Sequence, residues 1–168
     1  MNIVIQSSIH SLKKSNNLIN SLTNDVLSNQ SVSPYYSCIG SHIRHILDFY
    51  DCIIEGFPNR NIDLTNRKRD LKMHECCDYA IKNINRVISN LESMSEIGVD
   101  TMLIVSDDLG LGKTNITYTF GALLAQANSH AIHHYAIVSY ILDRLNIAIE
   151  DENFGYNPTT PKPEVNLN

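Results

Sequence analysis

The chain has no CxxC pair, no long apolar run and no basic stripe, and each absence removes a class of protein. Its four cysteines are Cys38, Cys52, Cys76 and Cys77. Adjacent cysteines make poor disulfide partners, so the expectation is reduced thiols and a cytoplasmic setting. No stretch of about 18 apolar residues occurs, and the opening MNIVIQSSIHSLKK lacks an apolar run with a cleavage site. The expected protein is neither secreted nor membrane-spanning. Lys and Arg number 13 against 18 Asp and Glu, a formal net charge of −5. One basic run, Arg67-Lys68-Arg69, is short and followed by Asp70, which leaves no cationic stripe for nucleic-acid phosphates. What is present suits a globular domain: 168 residues, 43% hydrophobic and 18% charged, enough for one buried core.

Apolar residues recur at helical spacing in four stretches. The first covers residues 3–28, with Ile5, Leu12, Ile19, Leu22 and Val26 on one side. A loop follows, and Ser33 as N-cap with Pro34 at the first helical position opens a second helix. That helix runs to about Glu55, before Gly56-Phe57-Pro58. Residues 57–69 read as a polar connection without an apolar period. A third helix starts near Asp70 and reaches about Met94, with Cys77, Ala80, Ile81, Ile84, Val87, Ile88 and Leu91 as its stripe.

Past Gly98 the pattern changes. Residues 101–105 and 115–119 are rich in β-branched side chains and flank DDLGLGK, which predicts a β-hairpin. A fourth helix runs from near Phe120 to about Leu145, and a tail from Asp151, with Pro158, Pro161 and Pro163, is extended. The predicted class is all-α: a four-helix bundle over residues 1–150 with a small β-hairpin between helices three and four, then a tail over 151–168. Gly110-Leu111-Gly112-Lys113-Thr114 imitates the end of a phosphate-binding loop. The motif's first glycine would fall on Asp107, and a strand, not a helix, follows, so the segment reads as a hairpin turn.

The chemistry gathers in histidines. In QANSHAIHHY, His130 and His134 stand on one helix face at i and i+4, and His133 is turned away. A second patch, GSHIRHILDFY, places His42 and His45 on another helix. Two imidazoles one turn apart can grip a divalent cation. The plainer reading is a hydrogen-bonded polar cluster, the reading also given to the solitary His10 and His74. Several buried imidazoles without partners cost free energy at each unsatisfied nitrogen, and a cation relieves that cost.

GSHIRHILDFYD followed by a phenylalanine-led helix with NSHAIHHYAIV resembles the DinB-like (YfiT-like) superfamily, and NRKRD and FGYNPTTP are similar to one of its branches. The resemblance spans most of the chain. It implies a four-helix bundle, often dimeric, hence a homodimer, with a divalent metal held by one histidine of the second helix and an HxxxH pair of the last. By residue this implies His45, His130 and His134 as metal ligands, with His42 and His133 beside them. WHLAH with a later HxxxH in iron-dependent ergothioneine sulfoxide synthases is similar and supports the same assignment, not the same reaction. Relatives in this branch often carry LDHF or LDHY where this chain has Leu47-Asp48-Phe49, so any role of that histidine is lost here.

Three imidazoles leave a coordination position open, as at catalytic centres. The resemblance implies thiol transfer or amide hydrolysis on a small molecule, and three nitrogen ligands suit Zn, Ni or Fe as the ion. Asp48 is a candidate base, and Asn128 and Tyr135 are candidate polar positioning groups. The plainer reading makes Asp48 an acceptor, Tyr135 a packing residue and Asn128 a polar neighbour. A non-catalytic, metal-stabilised bundle acting as a binding or stress-response module is the alternative.

Overall fold

The computed structural model describes residues 2–161. Pro163 and the end of the expected tail lie outside that range. Among the described residues are five α-helices: α1 (Ile3–Asn20), α2 (Asn24–Ser28), α3 (Ile39–Gly56), α4 (Cys77–Ser93) and α5 (Phe120–Arg144). Three strands, β1 (Asn61–Asp63), β2 (Met102–Asp108) and β3 (Lys113–Thr119), form one small sheet. The protein is thus mostly helical but not purely so.

Local chemistry moves several of the expected helix boundaries. The first helix breaks in two, because the Ser21 amide turns back to Leu18 O at 2.9 Å and Thr23 then caps α2. The second helix begins at Ile39, not Pro34: residues 33–35 form a turn, and Cys38 is the N-cap, its Sγ accepting from the Ser41 amide at 3.3 Å. The third helix begins at Cys77, not Asp70. Leu71–His74 form a separate 3-10 turn, whose start is fixed by the Asp70 carboxylate accepting from the Lys72 amide. That turn presses on the start of α3, where a Cβ on Gly40 would meet His74 Cα at 2.6 Å. Only glycine lets the two backbones approach so closely.

The hairpin is present and longer than expected, and it carries a third strand. β2 pairs antiparallel with β3, Ile104 opposite Thr117, and β1 runs parallel to β2 with Ile62 opposite Val105. This corrects the reading of residues 57–69 as a polar connection without an apolar period. Ile62 and Leu64 alternate with polar residues and are buried. Thr119 ends β3 and caps α5, accepting from the Ala122 amide at 3.1 Å.

The long helices pack in a closed circuit: α1 against α4 and α5, and α3 against α4 and α5. Ile5, Leu12 and Ile19 of α1, Ile43, Ile46 and Ile53 of α3, Ile84 and Leu91 of α4, and Leu123, Val138 and Leu142 of α5 fill the interior. Burying each such side chain stabilises the fold by about 1.5–3 kcal/mol before chain entropy is counted. The tail joins in: Phe154 is buried and stacks on Tyr135 at 4.7 Å between ring centroids. None of the described helices is long and apolar enough to cross a membrane. All four cysteines are free thiols.

Candidate metal centre

The site forms where α3 meets α5. Within α5 the i, i+4 spacing brings the rings of His130 and His134 to 4.5 Å between centroids. From α3, His45 faces both, at 4.9 Å from His130 and 4.7 Å from His134. One nitrogen from each ring lies within 4.8 Å of the others, so this group can hold a metal ion. All three side chains are partly buried.

Electrostatics keep the rings neutral. Burial is the main reason that His45 and His130 fall to about 4 and His134 to about 3. The Arg67 guanidinium is the next cause for His45 and His130, and the neighbouring imidazoles are the next for His134. Neutral imidazoles keep the lone pairs that a cation needs. His130 Nε2 is buried and has no hydrogen-bond partner, the orphaned donor site that a cation would satisfy.

His134 is steadied from behind. His42 Nδ1 lies 2.8 Å from His134 Nδ1, and His42 Nε2 lies 2.8 Å from Ser37 Oγ. His134 Nε2 offers a lone pair to the cluster in the tautomer in which His134 Nδ1 carries the proton and donates to His42 Nδ1, and His42 Nε2–H then faces Ser37 Oγ. His42 therefore holds the orientation of a ligand-type imidazole, the support such rings ordinarily have. His133 is exposed, its ring 5.4 Å from that of His134. Phe49, at the place where the resembling branch often has histidine, packs on His130 at 5.2 Å.

The other expected site residues lie elsewhere. Asp48 is buried and accepts from Arg44 Nη1 at 2.6 Å. Burial pushes its carboxyl upward against the pull of Arg44, whose guanidinium engages its Oδ2. Asn128 and Tyr135 look toward α1: Asn128 Oδ1 accepts from Ser11 Oγ at 2.5 Å, and the Tyr135 hydroxyl donates to Ser11 O at 2.9 Å. They are tied to α1 instead of positioning anything at the histidines. His74 accepts from Arg44 Nε at 2.9 Å, in keeping with a hydrogen-bonded role, whereas His10 is exposed.

Two neighbours escaped the sequence reading. Arg67 reaches in from the loop after β1, its Nη1 2.9 Å from His45 Nδ1 and 3.2 Å from His45 Nε2. Nothing in the spacing of NRKRD marks it out, because the long-range contact decides it. Gln126 Oε1 is buried without a hydrogen-bond partner. Here a signal existed: 126, 130 and 134 form one i, i+4 row. The glycine turn is no phosphate site, since Asp108 Oδ1 accepts from the Gly110 amide at 2.8 Å and the Gly112 amide at 3.3 Å. A carboxylate sits where the phosphate would.

No family model matches the chain, and no curated protein does. The crystal structure of the DinB-like protein YjoA from Bacillus subtilis matches 88% of this chain and 94% of its own, with a TM-score of 0.63 and 17% sequence identity. At that identity the likeness concerns the fold alone. The architecture that brings α3 and α5 together around three histidines is the DinB-like fold.

Proposed function

We propose that this protein is a DinB-like metal-dependent enzyme whose His45, His130 and His134 hold one divalent ion and leave a coordination position open to a small-molecule substrate. The closed circuit of long helices is read as the four-helix bundle of that type. The convergence of three neutral imidazoles beside the unpartnered His130 Nε2 carries the reading. Zn, Ni and Fe all suit three nitrogen donors. When bound, such an ion supplies Lewis acidity that makes a thiol or water nucleophilic near neutral pH.

The chain's own residues do the rest. His42 fixes the orientation of His134 through the short Nδ1 contact. Phe49 shields His130 on its ring side. Thiol transfer is favoured over hydrolysis because Asp48, the candidate base, is held by Arg44. A metal-bound thiol would give its proton to solvent before it attacks, whereas hydrolysis of an amide also needs a proton delivered to its leaving nitrogen. The same engagement of Asp48 favours, as second reading, a non-catalytic metal-stabilised module for binding or stress response. A homodimer in a reducing, cytoplasmic setting completes the proposal, and the four free thiols support the setting.

Elemental analysis of protein purified without a histidine tag tests the site, beside His45→Ala and His134→Ala. Roughly one metal per chain, lost in both variants, is the expected result. No metal in the wild type after reconstitution with Zn²⁺, Ni²⁺ and Fe²⁺ defeats the reading. Turnover in a panel of thiol-transfer and amide substrates separates the enzyme from the non-catalytic module.

A further inference from the structure

We propose that Arg67 is the carboxylate-binding residue of this site, so that the substrate is a small carboxylic acid whose reacting group reaches the metal while its carboxylate meets the guanidinium. The inference rests on the metal reading above and adds the substrate class to it.

Charge is the first argument. Asp48, the buried carboxylate of α3, is spent on Arg44. A divalent ion would therefore stand beside the Arg67 guanidinium, with Asp107 the one carboxylate whose charge is felt at His130. A partly buried guanidinium without an ion-pair partner is costly, and an anionic ligand lowers that cost. Arg44, Arg86, Lys14, Lys68 and Lys113 each have a carboxylate partner, whereas none of the ion pairs among the described residues includes Arg67.

Geometry is the second. Arg67 Nε donates to Leu64 O at 2.9 Å and Nη1 contacts His45, which leaves the Nη2 amino group with no acceptor among the described residues. The loop that carries it is fastened on both sides. The Leu64 amide donates to Ser106 O of β2 at 2.9 Å, and Cys52 Sγ of α3 lies 3.6 Å from Asn66 O. The guanidinium is thus held in place before any ligand arrives, which limits the ordering cost on binding. The free Nη2 amino group can donate a charge-assisted hydrogen bond to a carboxylate oxygen, and the planar guanidinium holds that donor in a fixed direction as a lysine ammonium does not.

The test uses the full-length protein loaded with Co²⁺, whose visible absorption reports ligands entering the coordination sphere. Two thiols are titrated: 3-mercaptopropionate, which carries a carboxylate, and 2-mercaptoethanol, which does not. The wild type is expected to favour 3-mercaptopropionate by about tenfold or more, the range of a charge-assisted hydrogen bond. Arg67→Met is expected to level the two, and Arg67→Lys, which guards against a misfolded methionine variant, to keep part of the preference. Absence of a preference in the wild type overturns the proposal. An undiminished preference in Arg67→Met also overturns it, because the carboxylate would then be chelating the metal without the arginine. If Co²⁺ gives no ligand-type spectrum in the wild type, the metal reading itself fails and this inference falls with it.

Discussion

The two sides of α5 carry polar side chains to different ends. Toward α1, Asn128 and Tyr135 find partners on Ser11, and the Ser15 hydroxyl bonds Leu12 O at 2.8 Å. Toward α3, His130 Nε2 is buried with no partner, as is Gln126 Oε1 four residues before it on α5. The other such buried atoms among the described residues, the Ser8 and Tyr50 hydroxyls, belong to α1 and α3, and burial pushes the Tyr50 phenol up. A polar cluster that closes its own hydrogen bonds locks helices together. One that leaves nitrogens over asks for something from outside. The contrast separates structural polarity from a binding site on a single helix.

The sharpest way to break the contrast is to remove a ligand-type ring. His134→Ala or His130→Ala is expected to weaken metal binding by more than about 100-fold, beyond the range for supporting residues. Competition against a chromophoric chelator measures this, and unchanged affinity in either variant would sink the assignment. His42→Phe comes next. It keeps bulk but removes the contact to His134 Nδ1, so affinity should fall by about 10–100-fold without vanishing. On the other face, Tyr135→Phe removes the bond to Ser11 O. Urea denaturation should show a loss of about 1 kcal/mol with metal affinity unchanged. A fall in metal affinity there would mean that the two faces are coupled through α5.

Much of this was legible in the chain. The HxxxH spacing fixed which rings share a face, because helix geometry is local. The stripes that predicted the long helices are the ones buried in the core, from Ile5-Leu12-Ile19 to Ile84-Leu91. Contacts set by distant partners were not legible. Ser33-Pro34 is a sound helix start by local rules, yet the caps lie at Cys38 and, for α4, after a turn pressed onto Gly40. Strand β1 is three residues long, and its parallel pairing with β2 joins residues some forty apart in sequence. Its alternation at Ile62 and Leu64 was a usable signal, too short to be separated from a loop. Asn128 and Tyr135 sit near the histidines in sequence, but a helix turns them to another neighbour.

The smallest expected effect concerns that strand. Asp63 of β1 accepts from Lys113 Nζ of β3 at 2.6 Å and from the Thr65 hydroxyl and amide. The Lys113 bond is the main reason, and Thr65 the next, that its carboxyl is held down at about 2 against an ordinary value of 3.8. A carboxyl depressed on folding adds stability above the unfolded value, and that stability is lost as pH falls through the folded one. The window is therefore about pH 3.8 down to about 2. The side chains of Lys113 and Asp63 are 50% and 38% exposed, so solvent screens the pair. Asp63→Asn should accordingly cost under about 1 kcal/mol at pH 7, and its urea curve should converge with the wild type's near pH 2. A larger loss that persists in acid would show that the Asp63 carboxylate is not the source of the effect. The sheet should survive the substitution, because Ile62 and Leu64, both buried, fasten β1 to the helices by apolar contact that no charge change removes.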